Sequence, residues 1–297
     1  MTIYIASDKK YKEKIKEDLF IQEYLVSRNN KSEILTLPEI LNQVNENDTV
    51  ILKSIWGYHI NYEMFINQIS SFEKKSVKLI NDYKYIYWNI DKYSYLSELS
   101  QYAGFKLIPT RIIELRTCKN EEDVRSQIQK EVCSFQEVYS SDFVVKPNIS
   151  ASGYLTYKYK SLTDNQGYLT SLLENKHRKF IVQPFRKQIT DGEISVIVLN
   201  GEVCYGIKRF PGVLVEKENP IFIEKEKINT AILGQIDLLL NFFSEKFKSL
   251  PNICRIDFVE IENDFEIMEI EMIDPDLFFK LLPQQELRKS LGLLCDT

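Results

Sequence analysis

Acidic residues crowd a strand-like stretch near the end of the chain. In FEIMEIEMIDPD (residues 265–276), Glu266, Glu269, Glu271, Asp274 and Asp276 are interleaved with Phe265, Ile267, Met268, Ile270, Met272 and Ile273. Ionised carboxylates in an apolar strand are costly unless they are paired or bound to a cation. The run before it, ICRIDFVEIEN (253–263), also alternates, so 253–272 reads as a hairpin turning near Asn263 and Asp264. Loop parity decides what faces what, because a one-residue slip moves every side chain to the other face. A two-residue loop at 263–264 pairs Asp257 with Ile270. A three-residue loop at 262–264 pairs Asp257 with Glu269 and Arg255 with Glu271. In that second register three carboxylates and an arginine share one face on adjacent rungs, where like charges repel. A divalent cation would turn this repulsion into coordination, and Mg²⁺ favours a few carboxylates plus phosphate oxygens. An exposed acidic sheet face is the plain alternative. The apolar residues at the alternate positions argue against it, since they imply a covered sheet.

Two further groups have phosphate-binding chemistry. In VVKPNISASG (144–153), Lys146 ends an apolar run and is followed by Ser150, Ser152 and Gly153. A lysine beside a small-residue loop can hold phosphates through its ammonium and through backbone N–H groups. Neither GxxxxGK[ST] nor GxGxxG occurs. In EISVIVLNGEVCYGIKRF (193–210), Asn200-Gly201 is a strong two-residue hairpin signal. Counting outward from Leu199 and Glu202 places Glu193 opposite Lys208, with Ser195 and Gly206 on the same face.

These groups need a frame. TIYIAS (2–7), DTVILKS (48–54) and SVKLIN (76–81) read as strands, with helices over 10–29 and in YEMFINQISSFEKK (62–75). Such alternation predicts a parallel α/β lobe over roughly the first 85 residues. SIWGYH (54–59) follows the second strand at its carboxyl end, where open parallel sheets collect ligands, so Trp56, Tyr58 and His59 are candidate substrate contacts. Over 88–110, Asn89 or Asp91 can cap a helix that Gly104 ends, before KLIPT as a strand. A helix and a mobile connection are expected over 119–140, strand–loop–strand over 142–160, and a helix near 227–248 between two hairpins.

The 297 residues and 44% apolar content describe a globular chain with more than one lobe. A formal net charge of −5 with no basic block argues against nucleic acid as the main partner. The five cysteines form no CxxC pair, which predicts neither a disulfide framework nor a zinc site. No signal peptide is visible, and AILGQIDLLLNFF (231–243) is too short and polar to span a bilayer, so a cytoplasmic protein with no membrane partner is expected.

Taken in order, Lys92, Lys146, IVQPF (181–185), Glu193, Lys208, RIDF and MEIE resemble the ATP-grasp superfamily over about residues 85–280. YWNIDKYSYL, KPNISASG and DGEISVIVLNGE are similar to the subgroup that includes the cyclo-ligase forming D-cycloserine from O-ureido-D-serine. Two positions depart from these patterns: Glu269-Ile-Glu271 where Glu-x-Asn is common, and Trp56-Gly57-Tyr58 where the subgroup favours Trp-Asp-Tyr.

The resemblance implies an α/β and α+β fold, with an N-terminal parallel lobe (1–87) and two α+β subdomains (88–184 and 185–297) enclosing the nucleotide. It implies ATP and Mg²⁺ as cofactors. Lys92, Lys146 and Lys208 would contact the phosphates. Gln183, Pro184 and Phe185 would hold adenine, and Glu193 the ribose. Ser150, Ser152 and Gly153 would close over the γ-phosphate. Asp257, Glu269 and Glu271 would hold Mg²⁺, and Arg255 would steady the transferred phosphate or a substrate carboxylate. The implied activity is carboxylate–amine ligation through an acylphosphate, forming ADP and phosphate, on a small amino acid or a peptide and by cyclisation in some cases. A peptide-tailoring ligase and a non-catalytic nucleotide-binding module are the alternatives. The expected partner is a substrate carrying a carboxylate and an amine, with a homodimer as the assembly to test.

Overall fold

The computed structural model describes residues 1–136, 142–159, 166–210, 219–262 and 264–296. It divides into two compact units, one made of residues 1–90 with 189–297 and the other of residues 91–188. The first segment expected from sequence and all but the first four residues of the third thus fall within one unit.

The first unit begins with alternating strands and helices: β1 (Thr2–Ala6), α1 (Lys16–Ser27), β2 (Lys31–Leu35), α2 (Leu37–Gln43), β3 (Thr49–Leu52), α3 (Tyr62–Lys74), β4 (Lys78–Ile80) and α4 (Tyr83–Asn89). The four strands form a parallel sheet in the order β2-β1-β3-β4. β1 and β3 are wholly buried, as strands covered on both faces must be. Thr36 and Glu39 close a capping box that starts α2.

The second unit holds α5 (Lys92–Leu99), β5 (Arg111–Glu114), α6 (Glu121–Gln136), β6 (Phe143–Pro147), β7 (Tyr157–Tyr159), α7 (Gln166–Glu174) and β8 (Lys179–Pro184). Its antiparallel sheet runs β5-β8-β6-β7. Asp91 caps α5 by accepting from the Ser94 N–H at 3.0 Å. The strand expected at KLIPT instead starts at Arg111, beyond Pro109. Proline cannot donate to a ladder, which favours this later start. Residues 137–140 of the helix and connection expected over 119–140 lie outside the described residues.

The chain then returns to the first unit with β9 (Glu193–Leu199), β10 (Glu202–Arg209), β11 (Ile221–Glu224), α8 (Thr230–Phe247), β12 (Ile253–Ile261), β13 (Asp264–Glu271) and α9 (Gln284–Cys295). The five strands form an antiparallel sheet in the order β11-β10-β9-β12-β13. Ile197, Leu199, Tyr205 and Ile253 of this sheet share a buried cluster with Ile3, Ile5, Ile21 and Ile51 of the N-terminal lobe.

Two asparagines tie the N-terminal lobe to the sheet within that unit. Asn81 donates to the carbonyls of Ile253 (2.6 Å) and Met272 (2.8 Å) and accepts from the Ile253 N–H (2.8 Å). Asn89 donates to the Ile270 carbonyl (2.8 Å) and accepts from the Met272 N–H (2.9 Å). Between them they satisfy backbone groups at the end of β13 that no further strand reaches.

Candidate active site

Strands β10, β9, β12 and β13 of the five-stranded sheet carry a cluster of acids and arginines, with Glu193, Asp257 and Arg255 buried. β12 pairs with β13 so that Asp257 faces Glu269 and Arg255 faces Glu271. This is the pairing expected from a three-residue loop, but its cause is different. At the turn Ile261 pairs with Asp264, leaving positions 262 and 263 between them, and Asn263 lies outside the described residues. The register then shifts between Phe258↔Ile267 and Asp257↔Glu269, so Met268 is the extra residue of a β-bulge. An even turn plus one bulge restores the odd parity.

The same device overturns the expected Glu193–Lys208 pair. Asn200-Gly201 does form the turn, with φ of +50° and +75°, as a two-residue hairpin of this kind requires. A register shift at Cys204 then places Arg209 opposite Glu193 and Lys208 opposite Ile194. Lys208 and Gly206 therefore point away from Glu193. The Lys208 stem packs where a Cβ on Gly192 would lie.

Arg209 is thus a site residue that sequence reasoning missed. Its Nη2 donates to Glu193 Oε1 (2.5 Å) and to Asp257 Oδ2 (2.7 Å), and its Nε donates to Ser195 Oγ (2.8 Å). Ser195 Oγ donates to Asp257 Oδ1 at 2.7 Å. Arg255 grips Asp257 from the other side, Nε to Oδ1 and Nη2 to Oδ2, both at 2.9 Å. The same Nη2 donates to Glu271 Oε1 at 2.5 Å, and Nη1 reaches the Asp276 carbonyl at 3.4 Å.

Charge in this cluster is lopsided. The acids Glu193, Asp257, Glu269 and Glu271 meet the guanidiniums of Arg209 and Arg255, which leaves two negative charges once all four acids are ionised. Burial and the neighbouring Asp257 carboxylate push the Glu193 carboxyl up to about 7, against the pull of Arg209. Burial likewise raises Glu271. Burial also works against the Asp257 carboxylate, but Arg209 and Arg255 outweigh it and hold this group well below the usual carboxylate range. An excess of two negative charges is balanced by one divalent cation, and the donors are the hard oxygens Mg²⁺ favours. By charge and donor type the residues fit such an ion. As they stand, no three acids, histidines or cysteines converge on one point among the described residues. Both oxygens of Asp257 are occupied by hydrogen bonds.

In the second unit, Lys92 is buried and its Nζ donates to the Ser150 carbonyl (2.5 Å). Asn148 Nδ2 donates to Asp91 Oδ2 (2.7 Å), fixing the other end of that loop. Lys146 lies on β6 opposite Ile181 of β8, one rung from the Val145–Val182 pair. Ser150 is buried, whereas Ser152 and Gly153 are exposed at φ of +52° and +70°. Gln183 is buried and donates to Thr110 Oγ1 at 2.9 Å. Pro184 pairs with Phe143, and the Phe185 N–H donates to the Asp142 carbonyl at 2.5 Å. The Lys158 ammonium lies 3.5 Å from the Phe185 ring centroid. The cationic and small-residue groups expected at phosphates, apart from Lys208, thus gather around one strand-and-loop pair.

In the first unit, Trp56 lines a cavity beyond β3 and packs edge-on against Tyr11, while Tyr58 lines another and His59 is buried.

Comparison with solved structures decides the fold. The chain is similar to a D-cycloserine synthetase, DcsG, with a TM-score of 0.79 and 16% identity over 99% of each chain. The chain has the ATP-grasp fold. It is also similar to a Bacillus anthracis D-alanine–D-alanine ligase in complex with ATP, with a TM-score of 0.71 and 12% identity. That match covers 100% of this chain and 96% of the other. An ATP-grasp ligase, PsnB, in complex with a minimal precursor, Mg and ADP, matches with a TM-score of 0.57 and 12% identity over 100% and 98% of the two chains. No protein-family model and no curated protein matches the sequence. Among the described residues, no helix of this ATP-grasp chain is long and apolar enough to cross a membrane.

Proposed function

We propose that this chain is an ATP- and Mg²⁺-dependent carboxylate–amine ligase acting on a small amino acid or a peptide. A substrate carboxylate attacks the γ-phosphate of ATP, giving an acylphosphate and ADP. An amine then displaces phosphate and forms the amide. The observation that carries this reading is the acid-rich cluster of Glu193, Asp257, Glu269 and Glu271 with Arg209 and Arg255, set on adjoining strands of an ATP-grasp fold. The similar structures in complex with ATP, or with Mg and ADP, support it by analogy.

In this reading Asp257, Glu269 and Glu271 hold Mg²⁺, which supplies charge neutralisation at the phosphates. Asp257 must then exchange one of its arginine partners. Arg255, already turned toward Glu271, steadies the transferred phosphate. Lys92 and Lys146 contact the phosphates, and Gln183, Pro184 and Phe185 hold adenine; Lys208, turned to the other face of the sheet from Glu193, takes no part. Glu193, held in place by the hydrogen bond from Arg209, accepts from the ribose. Ser150, Ser152 and Gly153 cover the γ-phosphate and exclude water, to which an acylphosphate is labile. No side-chain nucleophile is needed.

The test is ADP and phosphate release over a panel of amino acids and dipeptides. Release should depend on the acceptor and fall at least ~100-fold when Glu269→Gln and Glu271→Gln are combined, the scale of removing a charge-stabilising group. Acceptor-independent turnover, or turnover unchanged in that variant, would sink the reading.

A further inference from the structure

A cavity of about 390 Å³ opens beyond the carboxyl end of β3, between the start of α1 and the segment after β13. Its charged lining is Lys14, Lys16, Lys53, Lys280, Glu17 and Asp276, with the Trp56 indole as an aromatic wall.

The two acids are already engaged. Glu17 is buried against the Lys53 ammonium and accepts from the N–H groups of Leu277 (3.0 Å) and Phe279 (3.3 Å). Lys53 also donates to the Pro275 carbonyl at 2.5 Å. Asp276 Oδ1 accepts from the Phe278 N–H at 2.8 Å.

Three of the four lysines are not engaged. Lys14, Lys16 and Lys280 are exposed and pair with no acid among the described residues. Setting Lys53 against Glu17 leaves these three cations facing Asp276, a surplus of two positive charges. Lys16 is the first residue of α1, and Lys14 precedes it.

We propose that this pocket takes a small acid carrying two carboxylates, held by Lys14, Lys16 and Lys280 with its carbon skeleton against Trp56. Trp56 is braced by Tyr11, with ring centroids 4.8 Å apart, so its face is already set for the ligand. Asp276, on the pocket wall, is one hydrogen bond from Arg255 in the acidic cluster. The inference rests on the ligase reading in one respect only: the bound diacid is the acceptor, presenting one carboxylate for phosphorylation. The same paired carboxylates occur in a free dicarboxylic amino acid and in an acidic peptide.

Titration calorimetry on the full chain without nucleotide tests this apart from turnover. The probes are L-glutamate, glutarate, an Asp-Glu dipeptide, L-glutamine and inorganic phosphate. The diacids should bind at least ~10-fold tighter than L-glutamine, as expected when a charge-assisted hydrogen bond is replaced by a neutral one. Combining Lys16→Ala with Lys280→Ala, both exposed, should lower that affinity at least ~10-fold while thermal unfolding stays unchanged. Tighter binding of the dipeptide assigns a peptide source, and tighter binding of the free diacids a small-molecule one. Equal affinity for L-glutamine or phosphate, no binding of any diacid, or an unaffected double variant overturns the proposal. Acceptor-dependent ADP release without diacid binding would refute this pocket and leave the ligase reading standing. Diacid binding without any turnover would do the reverse.

Discussion

Asp257 accepts four hydrogen bonds, from Ser195, twice from Arg255, and from Arg209. Removing Arg209 leaves Glu193 and Asp257 with fewer donors inside the sheet. Breaking a buried pair from one side costs about 3–5 kcal/mol, and the partial exposure of Arg209 places Arg209→Ala at about 2–3 kcal/mol in urea unfolding. Glu193→Gln with Arg209 intact should cost less, because the amide oxygen still accepts. The raised carboxyls set a pH dependence. Glu193 and Glu17 sit at about 7 in the folded chain against an ordinary 4.5, both chiefly through burial. The native chain therefore keeps protons that the unfolded chain has lost, and stability falls as pH rises from 4.5 to 7. Asp257 acts oppositely, but only below its ordinary 3.8. The urea midpoint should be higher at about pH 5 than at about pH 7.5, and Glu193→Gln should flatten the difference. A midpoint that climbs with pH across this window would contradict that account. Asp257, Glu269, Glu271 and Arg255 were candidates in the sequence under one of two loop parities, and the structure brings them together through a bulge instead. Arg209 was no candidate, because its place depends on one extra residue in a strand.

Bulges and clamps govern the strands. Nothing in CYGIKR or EIMEIE marks Cys204 or Met268 as an added residue, and each flips the face of everything beyond it. The pairing of Asp257 with Glu269 follows in sequence from a loop length that the hairpin does not have; the bulge supplies the missing residue. Local turn chemistry was readable, as Asn200-Gly201 shows. Gly201→Ala should destabilise the chain by about 1–3 kcal/mol. Its φ is +75°, and a Cβ there would lie 2.4 Å from Leu250 Cδ1. The asparagine clamps carried no sequence signal, because their partners are roughly 170–190 residues away. Asn89→Ala strands a buried N–H and a carbonyl at the end of β13, at a cost of about 1–3 kcal/mol each. Chemical denaturation measures the loss, and amide exchange at Met272 should quicken in the same variant. Unchanged exchange there would show that Asn89 does not hold the strand end.

The molecule as a whole is built with one unit inserted in another. Residues 1–90 and 189–297 make one compact unit although 98 residues, 91–188, separate them. Sequence order suggested consecutive lobes, because pattern reading sees neighbours and not long-range packing. Three strands and two helices of the parallel lobe, and the two hairpins with the helix between them, were readable from periodicity; β2, α2 and the burial shared by Ile3 and Ile5 with Ile197 and Leu199 were not. If the chain binds Mg-ATP, saturation at about 100 times the dissociation constant adds about 2.7 kcal/mol. That should raise the melting temperature by about 5 °C in a chain of this size. The shift should vanish in the Glu269→Gln, Glu271→Gln variant, as followed by differential scanning fluorimetry. The central claim is that a substrate carboxylate attacks the γ-phosphate of ATP. An accepted acceptor with ¹⁸O in its carboxylate tests it directly, with the released phosphate read by ³¹P NMR or mass spectrometry. One labelled oxygen should pass into inorganic phosphate for each amide formed. Unlabelled phosphate, or label carried into AMP, would contradict the account.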